Sequence, residues 1–188
     1  MFHTAPARTG HVFVVCGPSG VGKDTLLNLA LPQTPARLLP SCVSRPPRTT
    51  ETTGVDAHFC TRFKMRQMIA NEELLEWAEY SGNLYGTPRA PVEHALRHGE
   101  KVVLRVTLAG MRSIRNALPG ASTIFIAPRS MDVLKERLAA RGTDSPQAIA
   151  QRLHAAEREM AAIPEFDHVI VNDDLTTATN EMIALLSR

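Results

Sequence analysis

The chain has 188 residues, a length that suits one well-buried domain and excludes two large ones. Hydrophobic residues make up 44% and charged residues 21%, an ordinary globular balance, and a net charge of +2 gives no general electrostatic case for nucleic acid or a membrane surface. Its 3 cysteines, Cys16, Cys42 and Cys60, have no framework spacing and fit a reducing compartment.

Residues 1–10 read as a short flexible lead without the apolar run of a signal peptide. No stretch approaches the roughly 20 apolar residues of a membrane span, so the expected location is the cytoplasm. His11–Cys16 (HVFVVC) is a compact β-branched run between Gly10 and Gly17, the pattern of a strand buried on both faces. Cys16 reads there as a small buried hydrophobe. After a glycine-rich loop, Lys23–Leu31 is expected to form a short helix stopped by Pro32.

Residues 41–56 (SCVSRPPRTTETTGVD) lack apolar periodicity and read as loop. A short strand is expected at 57–60, a helix near 63–70, a strand at 74–80, a turn at SGNLYGTP, and a helix near 91–97 closed by Gly99. Beyond them, apolar runs at 102–106, 123–127 and 168–171 read as strands. They alternate with helical patterns at 108–118, 131–140, 146–162 and 175–186. Such alternation predicts an α/β core with a parallel sheet over 11–40 and 100–188, carrying a small α+β insert over 41–99.

Gly17-Pro18-Ser19-Gly20-Val21-Gly22-Lys23-Asp24-Thr25 stands between the first strand and the first helix, the context in which a GxxxxGK match means a phosphate cradle. Glycines let backbone N–H groups turn inward around phosphate oxygens, the helix start adds partial positive charge, and Lys23 supplies a mobile ammonium for the β- and γ-phosphates. These features predict binding of ATP with Mg2+. Asp24 stands where Ser or Thr usually follows the lysine, with Thr25 next. Its carboxylate suits Mg2+, directly or through water, because that ion selects carboxylate and water oxygens.

The insert carries Ser41, Arg45, Arg48, Glu76, Tyr85 and Thr87. Two arginines three apart in a Pro-rich loop make a fork for phosphate, and a carboxylate such as Glu76 can accept from the two adjacent N–H groups that guanine presents. Solvated loop charges and a strand-edge carboxylate are the plainer readings of the same residues. Arg137 and Arg141 share a helix face, and Arg152 follows on the next helix after a break at 142–145.

From Val12 to Leu186 the chain resembles guanylate kinase, through GPSGVGK, SRPPRTTETTGVDAHF, LLEWAEYSGNLYGT, LKERLAARGTD, RLHAAEREM and VIVNDDL. The resemblance implies a P-loop core with about five parallel strands, an NMP-binding insert and a helical lid near 137–152. It implies that Arg45, Arg48 and Tyr85 hold the phosphate of GMP or dGMP, and that Ser41, Glu76 and Thr87 contact guanine. Arg137, Arg141 and Arg152 become lid arginines over ATP, and Asn172 an adenine contact. The implied partner is a small-molecule substrate, with neither nucleic acid nor membrane, and a monomer or homodimer is expected.

Three departures from the family pattern fall at four positions: Asp24, Ala57 in place of a tyrosine, and Arg105 with Thr107 in place of acidic residues. One expectation is that Asp24 has taken over the acidic function and that Arg105, at the end of a neighbouring strand, balances its charge. A GKD cradle also resembles the ribose 1,5-bisphosphate phosphokinases. A sugar phosphate kinase and a non-catalytic guanylate-kinase-like binding module are therefore the alternatives.

Overall fold

The computed structural model describes residues 10–49, 51–80, 82–140 and 145–188. Residues 1–9 of the expected lead lie outside them, as do Arg141 and the first three residues of the expected break that follows it.

In chain order the elements begin with β1 (His11–Cys16), α1 (Lys23–Ala30), β2 (Ala36–Leu38), β3 (Ser41–Val43), β4 (Ala57–Phe59) and α2 (Arg62–Ala70). They continue with β5 (Leu74–Tyr80), β6 (Asn83–Pro88), α3 (Arg89–Arg97), β7 (Lys101–Arg105) and α4 (Leu108–Ala117). The last are β8 (Ser122–Ala127), α5 (Met131–Ala140), α6 (Pro146–Ala161), β9 (His168–Val171) and α7 (Leu175–Ser187). No described helix is long and apolar enough to cross a membrane.

Five strands form a parallel sheet in the order β2-β7-β1-β8-β9. β1, β7 and β8 read as near-continuous apolar runs because their middles are fully buried: Val14, Val102 and Ile124 expose nothing. A second sheet of four strands has the order β4-β3-β6-β5, with β3 parallel to β4 and antiparallel to β6, and β6 antiparallel to β5. The fold is α/β with a separate small sheet.

The described residues fall into two compact units. The first runs to Val14 and resumes over Ala36–Ala121; the second comprises Val15–Pro35 and Ser122–Arg188. In the first, α4 packs on β5, and Cys42, Met65, Leu74 and Leu84 form an apolar cluster between α2 and the small sheet. In the second, α1 packs against α7, burying Leu26, Leu27, Met182 and Leu186 completely or nearly so. Phe125, wholly buried in β8, meets the Phe166 ring edge-on with centroids 5.0 Å apart.

Two segments differ from the sequence reading. Residues 41–43 form β3 rather than loop, and 83–88 form β6 rather than a turn. Asn, Gly and Pro favour turns locally, but β6 lies between β3 and β5, and hydrogen bonds on both sides outweigh that local preference. Helix α1 ends at Ala30, one residue early, because Pro32 falls in a 3-10 turn over Leu31–Gln33.

Candidate active site

In the second unit, β1 delivers the chain into the loop 17–22, and α1 begins at Lys23. Gly17 has φ 143° and Gly22 φ 98°, a region that side chains rarely enter. A Cβ on Gly17 would overlap the Ile126 carbonyl, and one on Gly22 would lie 2.5 Å from Asn172 Nδ2. No side chain caps the first turn of α1, so its backbone N–H groups and dipole face the loop uncapped. The Lys23 ammonium folds back to donate to the Gly17 carbonyl and, at 2.8 Å, to the Pro18 carbonyl.

The loop is braced from three later elements. Asn172, just past β9 and buried, donates from Nδ2 to the Val21 carbonyl at 2.7 Å. Arg137 on α5 donates to the same carbonyl at 3.3 Å and to the Asn172 carbonyl at 2.9 Å. Arg152 on α6 donates to the Ser19 hydroxyl at 2.8 Å. Two arginines from different helices thus reach the glycine loop. Nothing local marks the Asn172–Val21 contact, because 151 residues separate the partners.

Glu159, two helical turns beyond Arg152, did not stand out in the sequence. Burial pushes its carboxyl up, while Lys23 and Arg158 pull it down, so it lies within electrostatic reach of the loop lysine. Its Oε2 is buried without a hydrogen-bond partner. Cys16 is 1% exposed and burial pushes its thiol up to about 12, so it acts as packing rather than as a nucleophile. Asp24 and Thr25 open α1 with exposed side chains. Both offer hard oxygens beside the loop, which suits Mg2+, an ion that keeps several waters and takes few protein ligands. Among the described residues, no three His, Cys, Asp or Glu side chains gather into a metal cluster.

The acceptor-side candidates lie in the first unit, and strand register brings them to one face. Glu76 pairs with Thr87, Ala78 with Tyr85, Val43 with Tyr85, and Ser41 with Ala57. Alternation along β3, β5 and β6 then sets Ser41, Glu76, Tyr85 and Thr87 on the face opposite the Cys42–Leu84 cluster. Glu76 is 6% exposed, and its Oε1 accepts from the Thr87 hydroxyl at 2.7 Å. Burial raises its carboxyl above the ordinary range, and the Thr87 hydroxyl and backbone bonds oppose that rise.

The arginine fork has a partner that the sequence did not reveal. Arg45 holds Glu51 with both ends of its guanidinium, at 2.6 and 2.7 Å. Glu51 also accepts from the Arg48 backbone N–H at 2.8 Å, and the Arg48 guanidinium lies 3.7 Å away. Arg45 stacks over the Phe59 ring at 5.4 Å, and Tyr85 adds to the Glu51 effect that raises the Arg45 pKa. Glu51 thereby fixes the direction of the Arg45 fork. Arg105 donates to the Asp56 carbonyl at 3.3 Å, tying the end of β7 to the entry of β4, while Asp24 belongs to the second unit. Thr107 caps α4 by accepting from the Gly110 N–H at 3.1 Å.

The Arg45 bonds hold the Glu51 carboxyl down to about 2, from an ordinary 4.5. A depressed carboxyl stabilises the fold above its unfolded value and loses that contribution as pH falls toward the folded one. Glu51→Gln is therefore expected to destabilise the protein by roughly 1–3 kcal/mol at pH 7. Denaturant unfolding of the two proteins should converge as pH falls from 4.5 toward 2. A gap that stays constant across that range would show that the ion pair contributes nothing.

Comparison with known proteins gives a consistent result. The guanylate kinase family model matches residues 9–188. A guanylate kinase of Synechocystis sp. is 46% identical over 186 residues, covering 97% of each chain. One from Thermosynechococcus vestitus is 48% identical over 173 residues, covering 92% of this chain and 91% of its own. Among solved structures, guanylate kinase from Anaplasma phagocytophilum superposes with a TM-score of 0.78 at 27% identity, over 95% of this chain and 85% of that one.

Proposed function

Because the chain belongs to the guanylate kinase family, we propose that it transfers the γ-phosphoryl group of ATP to a phosphate oxygen of GMP or dGMP, giving ADP and a nucleoside diphosphate. The acceptor oxygen is already anionic, so the reaction needs positioning and charge neutralisation rather than a nucleophile or general base of the protein.

The loop 17–25 takes the ATP phosphates. Ser19, Gly20, Val21 and Gly22 supply the cradle, and Lys23 swings from its loop carbonyls to the β- and γ-phosphate oxygens. Arg137, Arg141 and Arg152 neutralise charge on the transferred group, and Asn172 serves the adenine end while bracing Val21. Asp24, with Thr25 beside it, would hold Mg2+ or its water shell. Bound there, the metal supplies positive charge to the phosphates.

On the acceptor side, Arg45, Arg48 and Tyr85 hold the GMP phosphate, with Glu51 aiming the fork. Ser41, Glu76 and Thr87 hold guanine. Residues 41–99 act as the NMP-binding insert on a core of 11–40 and 100–188, with a lid near 137–152. We further propose a cytoplasmic enzyme, monomeric or homodimeric, whose partners are small molecules; its three free cysteines suit that compartment.

The observation that carries the base assignment is the buried Glu76 carboxylate, anchored through one oxygen by Thr87. A carboxylate at 6% exposure without a charged partner of its own needs a reason, and two guanine N–H donors supply one. Glu76→Gln is expected to weaken GMP by roughly 1–3 kcal/mol, read as a rise in KM, because an amide presents one acceptor where a carboxylate presents two. If the variant handles GMP like the parent, Glu76 does not read a base.

A further inference from the structure

We propose that Gly110 is a specificity-determining position of the acceptor site, whose missing side chain lets the Glu76 carboxylate stand against the first turn of α4. It rests on the role proposed above for Glu76.

Gly110 is the third residue of α4, and it is buried. It does not have positive φ, so the backbone places no demand for glycine here. Alanine would favour the helix more strongly than glycine does. The demand comes from contact instead. A Cβ at this position would lie 2.5 Å from Glu76 Oε2 and 3.0 Å from its carboxyl carbon, with Val106 Cβ at 3.1 Å on another side.

Of these neighbours only Val106 is fixed, and so is the first turn of the helix itself. The start of α4 is pinned by the Thr107 cap at 3.1 Å, and Val106 precedes that cap in the chain. The Glu76 carboxylate is the far end of a flexible side chain, so it is the group that yields. Its other oxygen holds the Thr87 hydroxyl at 2.7 Å, and a displaced carboxylate breaks that bond or tilts away from it. Two acceptor oxygens must meet two adjacent N–H groups, so a displacement of about 1 Å is enough to spoil recognition. Gly110 therefore sets where Glu76 stands without touching the substrate itself. It is a positioning residue for acceptor choice.

The test compares Gly110→Ala and Glu76→Gln by steady-state kinetics with GMP, with IMP, and with varied ATP, alongside thermal melts. IMP keeps the N1–H of guanine and lacks its 2-amino group. Gly110→Ala is expected to raise KM for GMP roughly 10- to 100-fold and to shrink the preference for GMP over IMP. KM for ATP and the melting temperature should stay near the parent values. If Glu76→Gln raises KM for GMP and Gly110→Ala does not, the role given to Gly110 is overturned while Glu76 keeps its own. If Gly110→Ala raises the KM values for ATP and GMP together, or lowers the melting temperature, Gly110 acts on the fold and the inference is equally overturned. If Glu76→Gln leaves GMP untouched, the base assignment falls and takes this inference with it.

Discussion

Lys23→Ala is expected to lower kcat roughly 100- to 1,000-fold, the cost of deleting one preorganised donor from a charge-stabilising site. The fold should survive. Lys23 opens α1, its side chain is partly exposed, and it bonds carbonyls of the adjoining loop. Those bonds keep the ammonium beside the glycine loop proposed to take the phosphates. Lys23→Arg should rescue poorly, because a planar fork cannot replace a compact point charge in the same space. The check is kcat at saturating substrates together with a melting curve. A properly folded Lys23→Ala protein with kcat within threefold of the parent would remove the loop from the mechanism.

The electrostatics around Lys23 make its substitution more than the loss of one donor. Glu159 feels both Lys23 and Arg158 against a strong burial effect. Without Lys23, only Arg158 opposes that burial, and the Glu159 carboxyl should rise further. A pH profile of residual activity that shifts relative to the parent would report on this neighbour.

Much of the parallel core was legible from apolar patterning. β1, β9 and α5 fall on the bounds that the residues suggested, because apolar runs and helical periodicity dominate the local preferences there, and β5 of the small sheet does so too. β2 and β3 were not legible, since each is three residues long and stands beside Pro35, Pro40 or the polar loop that reads as irregular. β6 was hidden by its own composition: Asn83, Gly86 and Pro88 favour turns, and only two flanking strands make it a strand.

The candidate site divides in the same way. The glycine loop was readable because its chemistry needs a fixed local spacing, and Arg45 and Arg48 were readable as a close pair. Glu51 was not, although it stands between them in function. A glutamate in a polar loop looks solvated until the fold closes Arg45 around it. Gly110 is a further case, since it matters through a partner that only the fold supplies, and so is the bond from Asn172 to Val21, though Asn172 itself was named by resemblance. The Arg105 bond to the Asp56 carbonyl and the Thr107 helix cap likewise depend on tertiary placement.

Acceptor choice tests the whole account most directly, and the expected effect is large. Sites that hydrogen-bond a particular donor reject analogues lacking it by roughly 10⁴-fold or more, because their buried polar groups are left unpaired. On the proposed reading Glu76 is such a group: it is buried, and guanine would offer it two N–H donors. AMP offers an acceptor at N1 and no 2-amino group. Ribose 1,5-bisphosphate offers no base at all, though its phosphates could use the Arg45 fork. The measurement is ADP formation from ATP with GMP, with AMP, with ribose 1,5-bisphosphate, and with no acceptor. The account predicts rapid ADP release with GMP, matched one for one by GDP, and little above background in the other three. ADP formation driven by ribose 1,5-bisphosphate and not by GMP would contradict it, as would the absence of any acceptor-dependent turnover.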